Sequence, residues 1–308
     1  MATLRFQLFG KFCAQRDTQL LKRFDASKDQ ELLGYLLVHR NRSHPRETLA
    51  GMFWGESSTE KSKKYLRQSL WHLQTTLEVD SEARAPFLLV DHDWVQLNPQ
   101  SEFWLDVATF EAAFNLTEGM PGSQLSADVA DLLKKAVELY KGDLLEGCYE
   151  DWCLFERERL ENLYLSMLDK LMSYCERHGA YEAGLSYGTT ILSYDRAREH
   201  THRQLMNLRY LAGDRTGALR QYERCCQNLK EELGVKPERR TVALYEQIRA
   251  DRPVGTNQRS NRYASIPATS LPEMLGRLRR LQLVLAAVQK RIHRDIEAVE
   301  VSLDEQKR

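Results

Sequence analysis

The chain has 308 residues, enough for about two domains or a repeat array. It is 42% hydrophobic and 29% charged, which allows real cores in a soluble chain, and no run approaches the roughly 18 apolar residues of a membrane span. Basic and acidic residues both number 44, but net charge runs +6 over residues 1–77, −4 over 78–100, −6 over 101–250 and +4 over 251–308. A basic opening on an acidic body fits a localised contact with an acidic partner; solvated faces would give the same pattern.

The opening "MATLRFQLFGKF" reads as a strand rather than a signal peptide. Residues 4–24 alternate loosely about a polar turn at Gln15–Asp17, predicting short antiparallel strands. Ser27 and Gln30 resemble a capping box ahead of "ELLGYLLVHR", a helix with a broad apolar face. In "NRSHPRETLAGMFWG", Pro45 suits a first helical position, Leu49, Met52 and Phe53 are apolar, and Gly55 ends the helix. Arg40, Arg42 and Arg46 lie between these two helices. They suit contacts to an anionic backbone.

"EKSKKYLRQSLWHLQTTL", residues 60–77, carries the main site. Ser57 and Glu60 make an S-x-x-E box, so a helix should start near Ser58. Leu66, Leu70, Leu73 and Leu77 form one buried stripe, and Lys61, Lys64, Gln68, Trp71, His72 and Thr75 fall opposite it, with Arg67 on the flank. Three lysines at a helix N-terminus oppose its dipole at about 0.3–1 kcal/mol each, which is tolerable where an anion comes to meet them. Lys61, Lys63, Lys64 and Arg67 suit phosphates or guanine edges, Gln68 suits adenine, and Thr75 a thymine methyl. Trp71 could reach a groove, but a tryptophan there is expected to pack, here against the hairpin that follows. "PFLLVDHDWVQL" reads as that hairpin, turning at Asp91–Asp93, either a polar turn or a loose metal site. Strands, three helices and a closing hairpin are the order of a winged helix-turn-helix, whose third helix is the recognition helix.

From about 103 the pattern is helical. Gly179-Ala180-Tyr181 and Gly213-Asp214-Arg215 open similar units 34 residues apart, with Gly184-Leu185 and Ala218-Leu219 at matched steps. That offset is the tetratricopeptide period. "TVALYEQI" would close the array. Residues 251–270 are polar and aperiodic, a flexible linker. Leu278, Leu281, Leu285, Val288, Ile292, Ile296, Val299 and Leu303 then trace a near-heptad stripe, for self-pairing or for packing on the body.

These residues carry a family resemblance. The N-terminal segment resembles the OmpR-type winged helix through "KYLRQSLWHLQTTL". Residues 103–250 resemble the bacterial transcriptional activator domain through "WLDVATFEAAF" around Asp106 and Phe110, "LYKGDLLEG", and "GALRQYERCCQNLKEELGVKPERRTVALYEQI". The last holds an E-L-G-x-x-P step at Glu232, Leu233, Gly234 and Pro237. Together they resemble the antibiotic regulatory protein (SARP) class of bacterial transcription activators over about residues 1–250. No nucleotide-binding ATPase segment follows, so the resemblance is to the short form. It implies a homodimer on direct-repeat promoter DNA, with RNA polymerase as a further partner. Two departures stand out: Gln74, Thr75 and Thr76 replace arginines common in the family's recognition helix, and the wing carries two aspartates in "DHDW".

The reading is therefore mostly α with a small α+β N-terminal domain. A winged helix-turn-helix (1–100) precedes a tetratricopeptide-like activator domain (101–250), a linker (251–270) and an amphipathic C-terminal helix (271–308). Six cysteines without a CxxC pair read as reduced thiols of a cytoplasmic protein, with no metal or disulfide framework. With no phosphate loop or nucleophile elbow, and with scattered histidines, no enzyme and no cofactor is expected. The expected function is a DNA-binding transcription activator. The alternative is a repeat-type adaptor whose winged helix binds protein.

Overall fold

The computed structural model describes residues 4–21, 24, 27–78 and 86–251. The helix expected over 271–308 lies outside them, as does the linker expected over 251–270 apart from Asp251. Three strands open the chain: β1 (Leu4–Gln7), β2 (Cys13–Arg16) and β3 (Gln19–Leu20). β1 and β2 pair antiparallel with Leu4 opposite Arg16, and Asp17 makes the following turn at φ 53°. Leu4 and Phe6 point inward, as period-2 alternation requires. α1 (Ser27–Val38) follows, its broad apolar face buried through Leu32, Leu33, Leu36 and Leu37. The capping box does not form there. Ser27 is itself helical and donates to Glu31 Oε1, while the Gln30 amide reaches the Phe24 carbonyl.

β4 (His44–Pro45) replaces the expected helical start at Pro45. The proline lies extended opposite Trp94, and α2 (Arg46–Trp54) begins one residue later. An edge position tolerates proline because no N–H is needed there. α3 (Thr59–Glu78) packs on α2 with Leu66, Leu70, Leu73 and Leu77 buried. Each such leucine contributes about 1.5–3 kcal/mol. β5 (Leu88–Val90) and β6 (Trp94–Leu97) form the hairpin, and β4 adds to it as the sheet β4-β6-β5.

β7 (Phe103–Leu105) then pairs parallel to β1, so the N-terminal sheet runs β3-β2-β1-β7. A division at residue 100 therefore falls ahead of a strand that completes the first sheet. α4 (Asp106–Leu116) grows directly from β7. The Asp106 carboxylate accepts the N–H groups of Leu8 (2.8 Å), Phe9 (3.0 Å) and Val107 (2.7 Å). Burial nevertheless pushes its acid up to about 6.

α5 (Ala127–Val137), α6 (Asp151–His178), α7 (Tyr181–Tyr194), α8 (Glu199–Leu211), α9 (Arg215–Leu233) and α10 (Arg239–Arg249) complete the helical lobe. Gly179 (φ 72°) and Gly213 (φ 84°) sit at the turns before α7 and α9, a conformation that favours glycine. Gly184 and Ala218, the small residues at the matched steps, are both buried where helices meet. The two lobes share a core that runs from Phe6 and Leu8 through Leu36 and Leu105 to Leu160 and Leu171. A backbone seam reinforces it: Gly10 N–H donates to Asp143 O (2.8 Å), Leu145 N–H to Leu8 O (2.7 Å), and Glu146 N–H to Gly10 O (2.8 Å). Among the described residues no helix is long and apolar enough to cross a membrane.

Candidate nucleic-acid interface

α3 has 20 residues and spans about 30 Å at 1.5 Å per residue. Its leucine stripe fixes rotation, so the opposite face is presented outward. Lys61, Lys64, Arg67 and Gln68 are exposed there, and no hydrogen bond or ion pair joins them to any described residue. Lys63 is exposed too and pairs with Glu47 of α2 at 2.6 Å. Both side chains stand in solvent, so that pair contributes at most about 1 kcal/mol and a phosphate can compete for the lysine.

Trp71 is 65% exposed. It does not pack on the hairpin as expected. The stripe sends it outward, and the hairpin covers the other side of the helix, where the Gln74 amide donates to Leu88 O at 3.3 Å. Tyr65, 40% exposed, shares the outward face. Position 65 stands one helical turn after Lys61, which is the sequence signal that places Tyr65 on this face.

The expected face narrows toward its end. His72 Nδ1 lies 2.6 Å from Asp29 Oδ2, at the buried start of α1, so His72 ties two helices together. Thr75 is half-buried, and its hydroxyl donates to Trp71 O at 2.8 Å. The open cationic surface therefore occupies the first three turns, from Lys61 to Trp71.

Arg40 and Arg42 of the loop after α1, and Arg46 at the start of α2, are placed differently. Arg40 pairs with Glu111 of α4 at 2.8 Å, with side chains only 20% and 17% exposed. Arg159 of α6 holds the other oxygen of Glu111 at 2.6 Å. Arg42 donates to the Tyr35 hydroxyl at 3.3 Å and remains exposed. Arg46 donates through its side chain to Asp91 O (3.0 Å) and through its N–H to Asp93 O (2.8 Å), bracing the hairpin tip. At that tip Asp91, His92 and Asp93 are exposed and Trp94 is 48% exposed. His92 Nδ1 lies 2.6 Å from Asp93 Oδ1. Two carboxylates there disfavour a phosphate contact.

Residues 105–249 match the family model described as the bacterial transcriptional activator domain. The chain is 26% identical over 246 residues to the regulatory protein AfsR of Streptomyces coelicolor, covering 80% of this chain and 24% of that protein. It is 25% identical over 252 residues to AfsR of Streptomyces griseus, covering 80% and 25%. The chain thus spans about a quarter of the length of these curated relatives. Among solved structures, it resembles Mycobacterium tuberculosis EmbR in complex with a low-affinity phosphopeptide. That match has a TM-score of 0.64 at 19% identity and covers 86% of this chain and 70% of that one; it shows a shared fold. Residues 105–249 therefore match a bacterial transcriptional activator domain, within a chain that is similar over 80% of its length to part of the AfsR regulatory proteins.

Proposed function

We propose that the chain is a cytoplasmic DNA-binding transcription activator that inserts the first three turns of α3 into the major groove of promoter DNA. The observation that carries this reading is the unpartnered row of Lys61, Lys64, Arg67 and Gln68 above a fully buried leucine stripe. Lysines and an arginine held in no ion pair suit phosphates and guanine edges, and Gln68 suits an adenine edge. The Lys63–Glu47 pair opens to add a further phosphate contact. The N-terminal segment through β7 is the reading module. The helical lobe, a tetratricopeptide-like array, carries the contact between two copies on repeated elements and a contact to RNA polymerase. The domain match and the AfsR relatives support this division of labour.

Selection of bound duplexes from a random pool tests the reading. The account expects an enriched repeated element, with log affinity falling against log salt by about 0.9 per phosphate neutralised, hence a slope near −4 per copy. A chain that retains no duplex even at low salt contradicts it.

A second reading is an adaptor whose helical lobe binds a partner protein. Tyr149 and Phe155, 79% and 73% exposed near the start of α6, favour it, since large exposed aromatics suit a protein partner. EmbR, which shares the fold, was captured with a phosphopeptide. A partner that co-purifies while no duplex DNA competes would favour the adaptor.

A further inference from the structure

Two exposed apolar patches of the helical lobe carry opposite charge. The first lies at the start of α6, where Tyr149, Leu154 and Phe155 are all exposed. Residues 151, 154, 155 and 158 fall on one face of that helix, so Asp151 and Glu158 flank the apolar pair. Both carboxylates are exposed and form no ion pair with any described residue. Net charge over residues 143–161 is −5. Tyr149 is braced: the Arg157 guanidinium lies 5.9 Å from its ring centre and donates to Leu144 O and Leu145 O, each at 2.7 Å. An aromatic already held in place loses little freedom on contact. The second patch lies at the turn between α9 and α10. Adjacent helices pack in chain order from α6 to α10, so this turn is at the far end of the series. Gly234 (φ 67°) ends α9 there, and Leu233, Val235 and Val242 are left exposed. Lys236, Arg239 and Arg240 stand among them, exposed and in no ion pair with any described residue. Net charge over residues 215–249 is +3. Stacked helical arrays stay soluble through polar end caps, and this turn is not one.

We infer that these surfaces bind each other between copies of this chain: the α6 patch of one copy docks on the α9–α10 turn of the next. On the reading that the helical lobe joins two copies on DNA, these are the surfaces that join them. Charge decides the pairing. Two α6 patches face to face would set Asp151 and Glu158 against their own copies, and two turns would do the same with Lys236 and Arg239. Like charges brought together repel. The crossed arrangement sets carboxylates against ammonium and guanidinium groups, and it covers the exposed apolar side chains of both patches. The patches sit on opposite ends of one array, so a single copy does not satisfy its own. A contact between two different surfaces is head-to-tail and leaves one patch open at each end of a pair. Two copies so joined run in one direction along the duplex, and a third element in line admits a third copy.

Electrophoretic shift of the full chain on duplexes carrying one or two copies of the element selected from the random pool tests this. One element reports α3 alone; two elements report the contact between copies. The second copy should bind at least about tenfold more tightly than the first. Asp151→Lys with Glu158→Lys should remove that gain, as should Lys236→Glu with Arg239→Glu, while affinity for one element stays nearly unchanged. A chain with all four substitutions reverses both surfaces and should recover the gain. Phe155→Ser alters no charge and should also weaken it. A wild-type second copy that gains nothing overturns the inference and leaves the α3 reading standing. So does a gain that survives in Asp151→Lys with Glu158→Lys, or a selected element that is an inverted repeat. A chain that binds no single element sinks the α3 reading, and this contact with it. The wild-type comparison of one and two elements decides the matter even if a variant fails to fold.

Discussion

Two basic clusters read alike in the sequence and behave differently in the molecule. Lys61, Lys64 and Arg67 on α3 face outward and form no ion pair with any described residue. Arg40 and Arg46, some twenty residues earlier, are already engaged, one with Glu111 and the other with the backbone of the hairpin tip. A cation already satisfied by a half-buried carboxylate has little to gain from a phosphate, because leaving would strand its partner. Charge in the sequence marks where cations are; the partner decides which of them are free to bind.

The largest effect should come from reversing the free cluster. Lys64→Glu combined with Arg67→Glu should weaken duplex binding by at least about 100-fold at moderate salt, with thermal unfolding unchanged because neither side chain has a partner to lose. Electrophoretic shift and a melting curve check both halves. Unaltered binding would move the interface away from α3.

The engaged side of the comparison gives stability effects instead. Asp106, at the seam, holds its proton up to about pH 6, whereas its ordinary value is 3.8. The folded state therefore binds more protons than the unfolded chain across that window, and this contribution to stability falls as pH rises through it. Asp106→Asn should flatten the pH dependence between these limits by about 2–3 kcal/mol, read by urea unfolding at several pH values. Arg40→Ala should cost about 1–2 kcal/mol, reduced because Arg159 still holds Glu111, and should leave DNA affinity nearly unchanged. A large loss of DNA affinity in Arg40→Ala would erase the distinction between the clusters.

Smaller effects sharpen the map of α3. Trp71→Ala should lower affinity by about tenfold with stability within about 0.5 kcal/mol, since the ring is exposed. Lys63→Ala should reduce the salt slope by about 1 while affecting different sequences equally. Both are measured by fluorescence anisotropy over a salt series.

What the sequence made legible was what repeats locally. The leucine stripe at 66, 70, 73 and 77 marks α3, its buried side and its open side, because a helix writes its period into neighbouring residues. The hairpin turn at Asp91–Asp93 and the matched glycines at 179 and 213 were visible for the same reason. What stayed hidden depends on partners distant in the chain. His72 meets Asp29, Arg40 meets Glu111, and β7 finds β1 almost a hundred residues back. No periodicity records those meetings. Trp71 is exposed against the usual packing habit of tryptophan because the rotation set by four leucines turns its position outward.

The most direct test is a map of cross-links between the full chain and a selected duplex carrying 5-bromouracil, read by mass spectrometry. The account predicts adducts within residues 61–75, with Trp71 and Tyr65 foremost, and none at Arg40 or Arg46. Adducts confined to the hairpin 88–97 or to the helical lobe, with α3 unmarked, would contradict it.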